Sequence, residues 1–270
     1  MNRRDHLSRE RIMVIRALAL TGFLLFISGV CQASIVSTKH NLSSTGPGSI
    51  KATTEKEICV FCHTPHGATT ELPLWNHQLS TQSYTLPSTT AGWPKLLTTV
   101  QQPDKASRLC LSCHDGTVAI GQLVNMPGPG SGGKITMQTG DFMLATDYGY
   151  IGTNLSGSHP VSIAVNDQLI ADKNACSTGP GSYMLQYPPG GDPVKLKSTG
   201  NTYGGNPGRP AAGPAGFVYN EGVQCTSCHD PHLAGVVDFL VKGTGTADPV
   251  KGHPGNVSAL CDSCHQGTCP

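Results

Sequence analysis

The chain has 270 residues, with Lys+Arg 18 against Asp+Glu 17, 37% hydrophobic and 6% aromatic residues, and 33 Gly and 20 Pro. So little apolar content sits close to the composition of disordered chains, unless something other than side chains supplies the apolar mass of a core. No basic stripe is visible, which disfavours a nucleic-acid partner.

At the N-terminus, Arg3, Arg4, Arg9, Arg11 and Arg16 precede an apolar run from Ala17 to Val30, followed by Cys31-Gln32-Ala33. This is the three-part pattern of an export signal, with small residues where a signal peptidase reads. The run is too short to cross a bilayer comfortably, so residues 1–33 are read as a cleaved leader and Cys31 as part of it. Residues 34–270 carry thirteen Lys+Arg against fifteen Asp+Glu and no membrane span.

Past the leader comes His40, then Cys59-Val60-Phe61-Cys62-His63, extended by Thr64-Pro65-His66. Cys-x-x-Cys-His attaches c-type haem: two thiols add across the two vinyl groups of a porphyrin, and the following histidine becomes the proximal iron ligand. A second copy is Cys110-Leu111-Ser112-Cys113-His114. Here Pro103 suits a first helical position, and Ala106, Leu109, Cys110 and Cys113 line one helix face that Gly116 should stop. A Pro/Gly stretch from Met126 to Gly133 closes this first part.

His159 opens the second part, with a short strand expected around Val161 to Val165 and a Gly/Pro-rich insertion over about 178–216 expected to be irregular. The third motif, Cys225-Thr226-Ser227-Cys228-His229, is extended by Asp230-Pro231-His232 in the manner of the first. A short strand is expected around Val236 to Val241. The fourth motif, Cys261-Asp262-Ser263-Cys264-His265, repeats the frame of the second, with Asn256 as N-cap, Val257, Leu260, Cys261 and Cys264 on the helix face, and Gly267 as the stop.

Zinc knuckles and dithiol redox sites share the Cys-x-x-Cys spacing, but neither needs the histidine, and the long unequal separations do not suit a zinc ribbon. Eight of the eleven cysteines lie in the four motifs, so the reading is four covalently bound haem c groups. The expected fold is a multihaem cytochrome c: mostly irregular chain, a few short α-helices at the motifs, little β, and haems forming the core. Its organisation is a two-haem unit used twice, over 34–150 and 151–270.

The sixth iron ligand decides between electron carriage and catalysis. Outside the leader and the proximal positions six histidines remain: His40, His66, His77, His159, His232 and His253. Four occupy matching places in the two halves, His40 with His159 and His66 with His232, and these are assigned as distal ligands. The plainer alternatives are a hydrogen bond to a haem propionate for His66 and His232, and an ordinary surface position for His40 and His159. His77 and His253 lack a counterpart, so surface or supporting roles suit them better. Met126, Met137, Met143 and Met184 are the alternative ligands if histidines fall short. Cys176 and Cys269 are left over, and whether they form a disulfide is open.

Taken together, Lys39-His40-Asn41-Leu42-Ser43, Cys-Val-Phe-Cys-His-Thr-Pro-His-Gly, Pro73-Leu74-Trp75-Asn76, Leu-Cys-Leu-Ser-Cys-His-Asp-Gly, Ser158-His159-Pro160-Val161 and Cys-His-Asp-Pro-His occur in an order that resembles the extracellular tetrahaem cytochromes of the outer-membrane cytochrome E type. The resemblance implies bis-histidine haems, a homopolymeric filament with a continuous haem stack, and one distal histidine supplied by the adjoining subunit, for which His40 is the candidate. It also implies an extracellular or cell-surface location, exchange with other redox proteins or extracellular acceptors, and no catalysis. A soluble periplasmic tetrahaem carrier and, less favoured, a multihaem reductase are the competing readings. A reductase needs an iron with an open position; a soluble carrier would not polymerise.

Overall fold

Turns and irregular segments carry the chain from one Cys-x-x-Cys-His motif to the next. The computed structural model describes residues 34–68, 74–88, 100–126, 133–175, 183–203, 206–207, 210–212, 218–234, 237–242 and 258–268. Ser34–Pro270 form one unit. The leader, His253, Cys176, Cys269 and the expected N-cap Asn256 lie outside the described residues, and with them the question of a Cys176–Cys269 disulfide.

Helix α1 (Lys105–His114) carries the second motif and ends as its sequence suggests: Gly116 adopts φ +71°, and a Cβ there would come within 2.7 Å of the Met143 carbonyl oxygen. Pro103 lies outside the helix, whose N-cap is Asp104. The Asp104 carboxylate caps nothing. It accepts instead from Thr199 Oγ1 at 3.0 Å and Gln224 Nε2 at 2.8 Å, reaching across to two other segments. The side chains that α1 buries are Ser107, Leu109, Leu111 and Ser112, so the expected face of Ala106, Cys110 and Cys113 stays half-buried beside them.

Helix α2 (Asp167–Asn174) starts where Asn166 accepts from the Leu169 backbone N–H at 2.8 Å, and it buries Leu169. Helix α3 (Cys225–Cys228) is the third motif, with Gln224 and Ser227 forming a reciprocal capping box. Helix α4 (Ser258–Cys261) opens the fourth motif.

The strands are short but more numerous than expected, and the Gly/Pro insertion supplies much of the surplus. In chain order they are β1 (Gln122–Leu123), β2 (Gly133–Lys134), β3 (Ile163–Ala164), β4 (Tyr183–Leu185), β5 (Lys197–Thr199), β6 (Thr202–Tyr203), β7 (Asn206–Pro207), β8 (Pro210–Ala212), β9 (Val218–Val223) and β10 (His265–Thr268). Strand β9 is the centre of a four-stranded sheet, pairing antiparallel with β3, β5 and β8. Gly222 allows that pairing, because a Cβ there would stand 2.3 Å from the Ile163 carbonyl oxygen. β10 pairs antiparallel with β4, so Gly267 lies inside a strand and the last helix stops earlier, at Cys261.

No strand forms across 237–242. Val237–Phe239 is a tight turn with Asp238 at φ +54° and Phe239 at φ +57°. The carbonyls a strand would offer to a neighbour are taken locally: that of Asp238 by His229 Nδ1 at 2.7 Å and that of Phe239 by the Asp230 N–H at 2.8 Å.

Among the described residues, buried apolar side chains gather in three separate clusters, the largest built on Phe61, Leu123, Ile135 and Met137, the others around Leu111 and around Leu169. Among the described residues no helix is long and apolar enough to cross a membrane.

Candidate haem-binding site

Each motif begins on a turn of tightly coiled chain, which puts its two thiols on one side. Cys59–Phe61 is a single 3-10 turn, with the His63 N–H bonded to the Cys59 carbonyl at 2.8 Å; the His229 N–H reaches the Cys225 carbonyl at 3.0 Å in the same way. All eight motif cysteines are free thiols.

The motifs lie beside one another in chain order. Cys62 interacts electrostatically with Cys113, Cys110 shares a thiol hydrogen bond with Cys225, and Cys228 interacts with Cys264 and Cys261. Desolvation pushes Cys62 and Cys113 up to about 12 and Cys228 up to about 11. A dithiol redox site needs the opposite, an accessible thiol with a depressed pKa. Cys225 alone is shifted downward, because Cys110 donates to it, and Cys110 is correspondingly raised.

A buried polar joint sets the second motif against the third. Gln224, 1% exposed, accepts from the Ser107 backbone N–H at 3.0 Å and from Ser107 Oγ at 2.5 Å, while Ser107 Oγ accepts from the Cys225 N–H at 3.1 Å. The first motif is tied to the second by consecutive residues. Asn76 donates through Nδ2 to the Val60 carbonyl at 2.6 Å, and His77, wholly buried, bonds Ser112 Oγ and the Ala119 carbonyl, both at 3.1 Å. His77 is therefore a brace with both ring nitrogens engaged, not a surface residue.

The remaining histidines fall opposite the motif histidines. His40 faces His114 with ring centres 6.0 Å apart and planes at 84°; His232 faces His63 at 6.1 Å and 19°; His159 faces His265 at 6.1 Å and 70°. Two imidazoles on opposite sides of one iron, each bound at about 2 Å, hold their ring centres about 6 Å apart, so these three pairs fit an axial ligand set. His66 and His229 are both exposed, and among the described residues no imidazole faces either one.

Proton placement suits ligation too. His114 Nδ1 lies 2.8 Å from the Gly149 carbonyl, His159 Nδ1 2.9 Å from that of Pro160, and His229 Nδ1 2.7 Å from that of Asp238. A carbonyl partner keeps the proton on Nδ1 and leaves the Nε2 lone pair for a metal. Burial, then the neighbouring His114, push His40 down to about 4, so its ring is neutral at neutral pH, as a ligand must be. The same two causes, burial and the facing His159, lower His265.

Donors converge poorly for a bare ion. Among the described residues no group of three or more His, Cys, Asp or Glu side chains is arranged to hold one. A small apolar recess lined by Leu86, Val100, Leu111 and Leu155 opens beside His159 and Cys225.

Several supporting residues carry little signal in the sequence. Trp75 meets the His63 ring edge-on at 6.1 Å and 89°, and Phe239 stacks on His40 at 4.4 Å and 12°. Trp75 and Asn76 belong to a run that the resemblance picks out; Phe239, Gln224 and Ser107 carry no motif. The chain matches no known protein-family model and no curated protein.

Proposed function

We propose that this protein is a tetrahaem c-type cytochrome that carries electrons outside the cell and assembles into a filament. The observation that supports this most is the set of three imidazole pairs at 6.0–6.1 Å, each joining a motif histidine to a histidine from elsewhere in the chain. On this reading Cys59 and Cys62 anchor a haem between His63 and His232, Cys110 and Cys113 one between His114 and His40, Cys225 and Cys228 one with His229 and His66, and Cys261 and Cys264 one between His265 and His159. Bound haem supplies an iron that takes up and releases single electrons.

The chain's own part is spacing, orientation and insulation. Thiols adjacent in the order first, second, third, fourth motif support a continuous path, since each attachment point borders the next. At the three paired centres, imidazoles on both sides of an iron would leave no position for a substrate, which favours a carrier over a reductase, and the fourth centre, at His229, follows suit if His66 serves it. Among the described residues the apolar clusters are small, which is compatible with haem supplying further apolar mass.

Within one chain His40 lies opposite His114, which favours another histidine as the ligand lent to a neighbour. That role passes to His66, which is exposed and matches His232 in the repeat; its counterpart would be His229 of an adjoining copy.

The deciding experiment is haem quantitation with electron microscopy of the extracellular fraction. Four haems per chain in thin, regular, haem-positive filaments are expected. Dispersed particles recovered from the periplasm would point to a soluble carrier, and a protein without covalently bound haem would end the reading.

A further inference from the structure

The three imidazole pairs differ in a way that their ligand identity does not foretell: His63 and His232 are nearly parallel at 19°, while His40 and His114 cross at 84° and His159 and His265 at 70°. In low-spin ferric iron, parallel imidazole planes both interact with one member of the near-degenerate pair of iron orbitals and split that pair. Crossed planes interact with one member each and leave the two close in energy. Resting on the haem reading above, we infer that the protein holds two electronic classes of iron centre, and that Phe239 is the positioning residue that keeps the His40–His114 pair crossed.

Each ring of that pair is fixed by a separate device. On one side, His114 is held through Nδ1 by the Gly149 carbonyl at 2.8 Å, and Gly149 sits at φ +91° with its Cα face 3.5 Å from the ring where a Cβ would stand. On the other, His40 Nδ1 is buried without a hydrogen-bond partner, so no polar contact at that nitrogen sets the ring's rotation. The ring meets the Pro231 backbone on one edge, and the Phe239 ring, stacked at 4.4 Å and 12°, packs flat against its face and with that contact holds its plane.

Phe239 in turn is presented by a turn the chain holds in an unfavourable conformation. Asp238 and Phe239 are consecutive non-glycine residues in the left-handed region, a state that persists only where the surroundings enforce it. Four contacts do so: His229 Nδ1 on the Asp238 carbonyl, the Asp230 N–H on the Phe239 carbonyl, the Val241 N–H on the Cys228 carbonyl at 2.9 Å, and the Tyr148 hydroxyl on the Asp238 carboxylate. One segment therefore holds the proximal histidine of the third motif and the distal histidine of the second.

The test is electron paramagnetic resonance of the fully oxidised, haem-loaded protein, with Phe239→Leu and Phe239→Tyr. The wild type is expected to show both a rhombic low-spin signal and highly anisotropic, large-gmax signals. In Phe239→Leu the large-gmax intensity should fall by about a third to a half, according to whether the fourth centre is crossed, one crossed pair losing its restraint, with Phe239→Tyr restoring it. A wild-type spectrum of rhombic signals alone would overturn the two-class assignment without needing any variant to fold. Unchanged large-gmax signals in a Phe239→Leu protein with full haem content would overturn the role of Phe239. No low-spin haem signal at all would refute the underlying haem reading instead.

Discussion

His232 lies face to face with His63, ring centres 6.1 Å apart and planes 19° from parallel, although one belongs to the third motif's extension and the other to the first motif. The second half of the chain therefore reaches into the first, while the pairs His40–His114 and His159–His265 each stay within one half. On the haem reading, a histidine three residues after a proximal ligand would not turn back onto the same iron past Pro231, whose ring fixes φ; it would serve a different centre and bring that centre close.

Replacing His232 by Ala should accordingly open one iron in the other half of the chain. The expected outcome is carbon monoxide binding to about one haem in four after reduction, with covalent haem content unchanged. A difference spectrum identical to wild type would show that His232 is not a ligand.

The Ser107–Gln224 joint should matter for stability more than for ligation. Gln224→Ala strips partners from Ser107 and from the Asp104 carboxylate in a site that is 0–2% exposed at Ser107, Ser162, Thr199 and Gln224. Buried groups left unsatisfied cost about 1–3 kcal/mol. Denaturant titration should report that loss, while the visible spectrum of the haems stays unchanged.

His77→Ala separates a brace from a ligand. Both nitrogens of the buried ring are spent on Ser112 and Ala119, so the substitution should lower stability by about 2 kcal/mol and leave every iron six-coordinate. Appearance of carbon monoxide binding in this variant would instead place His77 in the ligand set.

What could be read in advance divides along physical lines. Cys-x-x-Cys-His is a local pattern, so four candidate attachment points, each with its histidine, stand out from spacing alone. Counting then narrows the distal ligands, because His40, His66, His159 and His232 occur at matching places in a repeat. Which ring faces which is set by the three-dimensional path, and nothing in the spacing of His40 announces His114. The strands of the insertion were hidden because their pairing is long-range and their composition is that of turns; Gly222 is informative only once Ile163 is beside it. His77 escaped because a lone histidine next to Trp75 and Asn76 has no periodic pattern to mark it as buried.

Acid should loosen the tie between the insertion and the fourth motif. Asp192 has a side chain 8% exposed and accepts from Lys242 Nζ at 2.6 Å and from Ser263 Oγ of the fourth motif at 3.2 Å. Burial raises its pKa, but Lys242 and the Val194 N–H outweigh that and hold it below the ordinary value. A carboxylate depressed in the folded state contributes stability that is complete above the unfolded value of about 4 and is lost as pH falls through the folded value. Thermal unfolding should thus decline below about pH 4 in the wild type. Lys242→Met should cost about 1 kcal/mol at neutral pH and flatten that decline; a variant with the wild-type acid profile would assign the decline to other carboxylates.

His66 carries the assembly question. It is exposed, no described imidazole faces it, and the other three distal candidates already face motif histidines of their own chain. If it serves His229 of the next copy, ligation and polymerisation are one event, and His66→Ala should lose both: carbon monoxide should bind about one haem in four, and filaments should give way to dispersed subunits. If it instead closes onto His229 within its own chain, the same variant should bind carbon monoxide while filaments persist. Mixing settles the direction of the exchange. A His66→Ala subunit keeps His229 and a His229→Ala subunit keeps His66, so together they can form a single intact junction, and the expected product is a heterodimer that grows no further. Continued growth of that mixture would refute a ligand shared between copies.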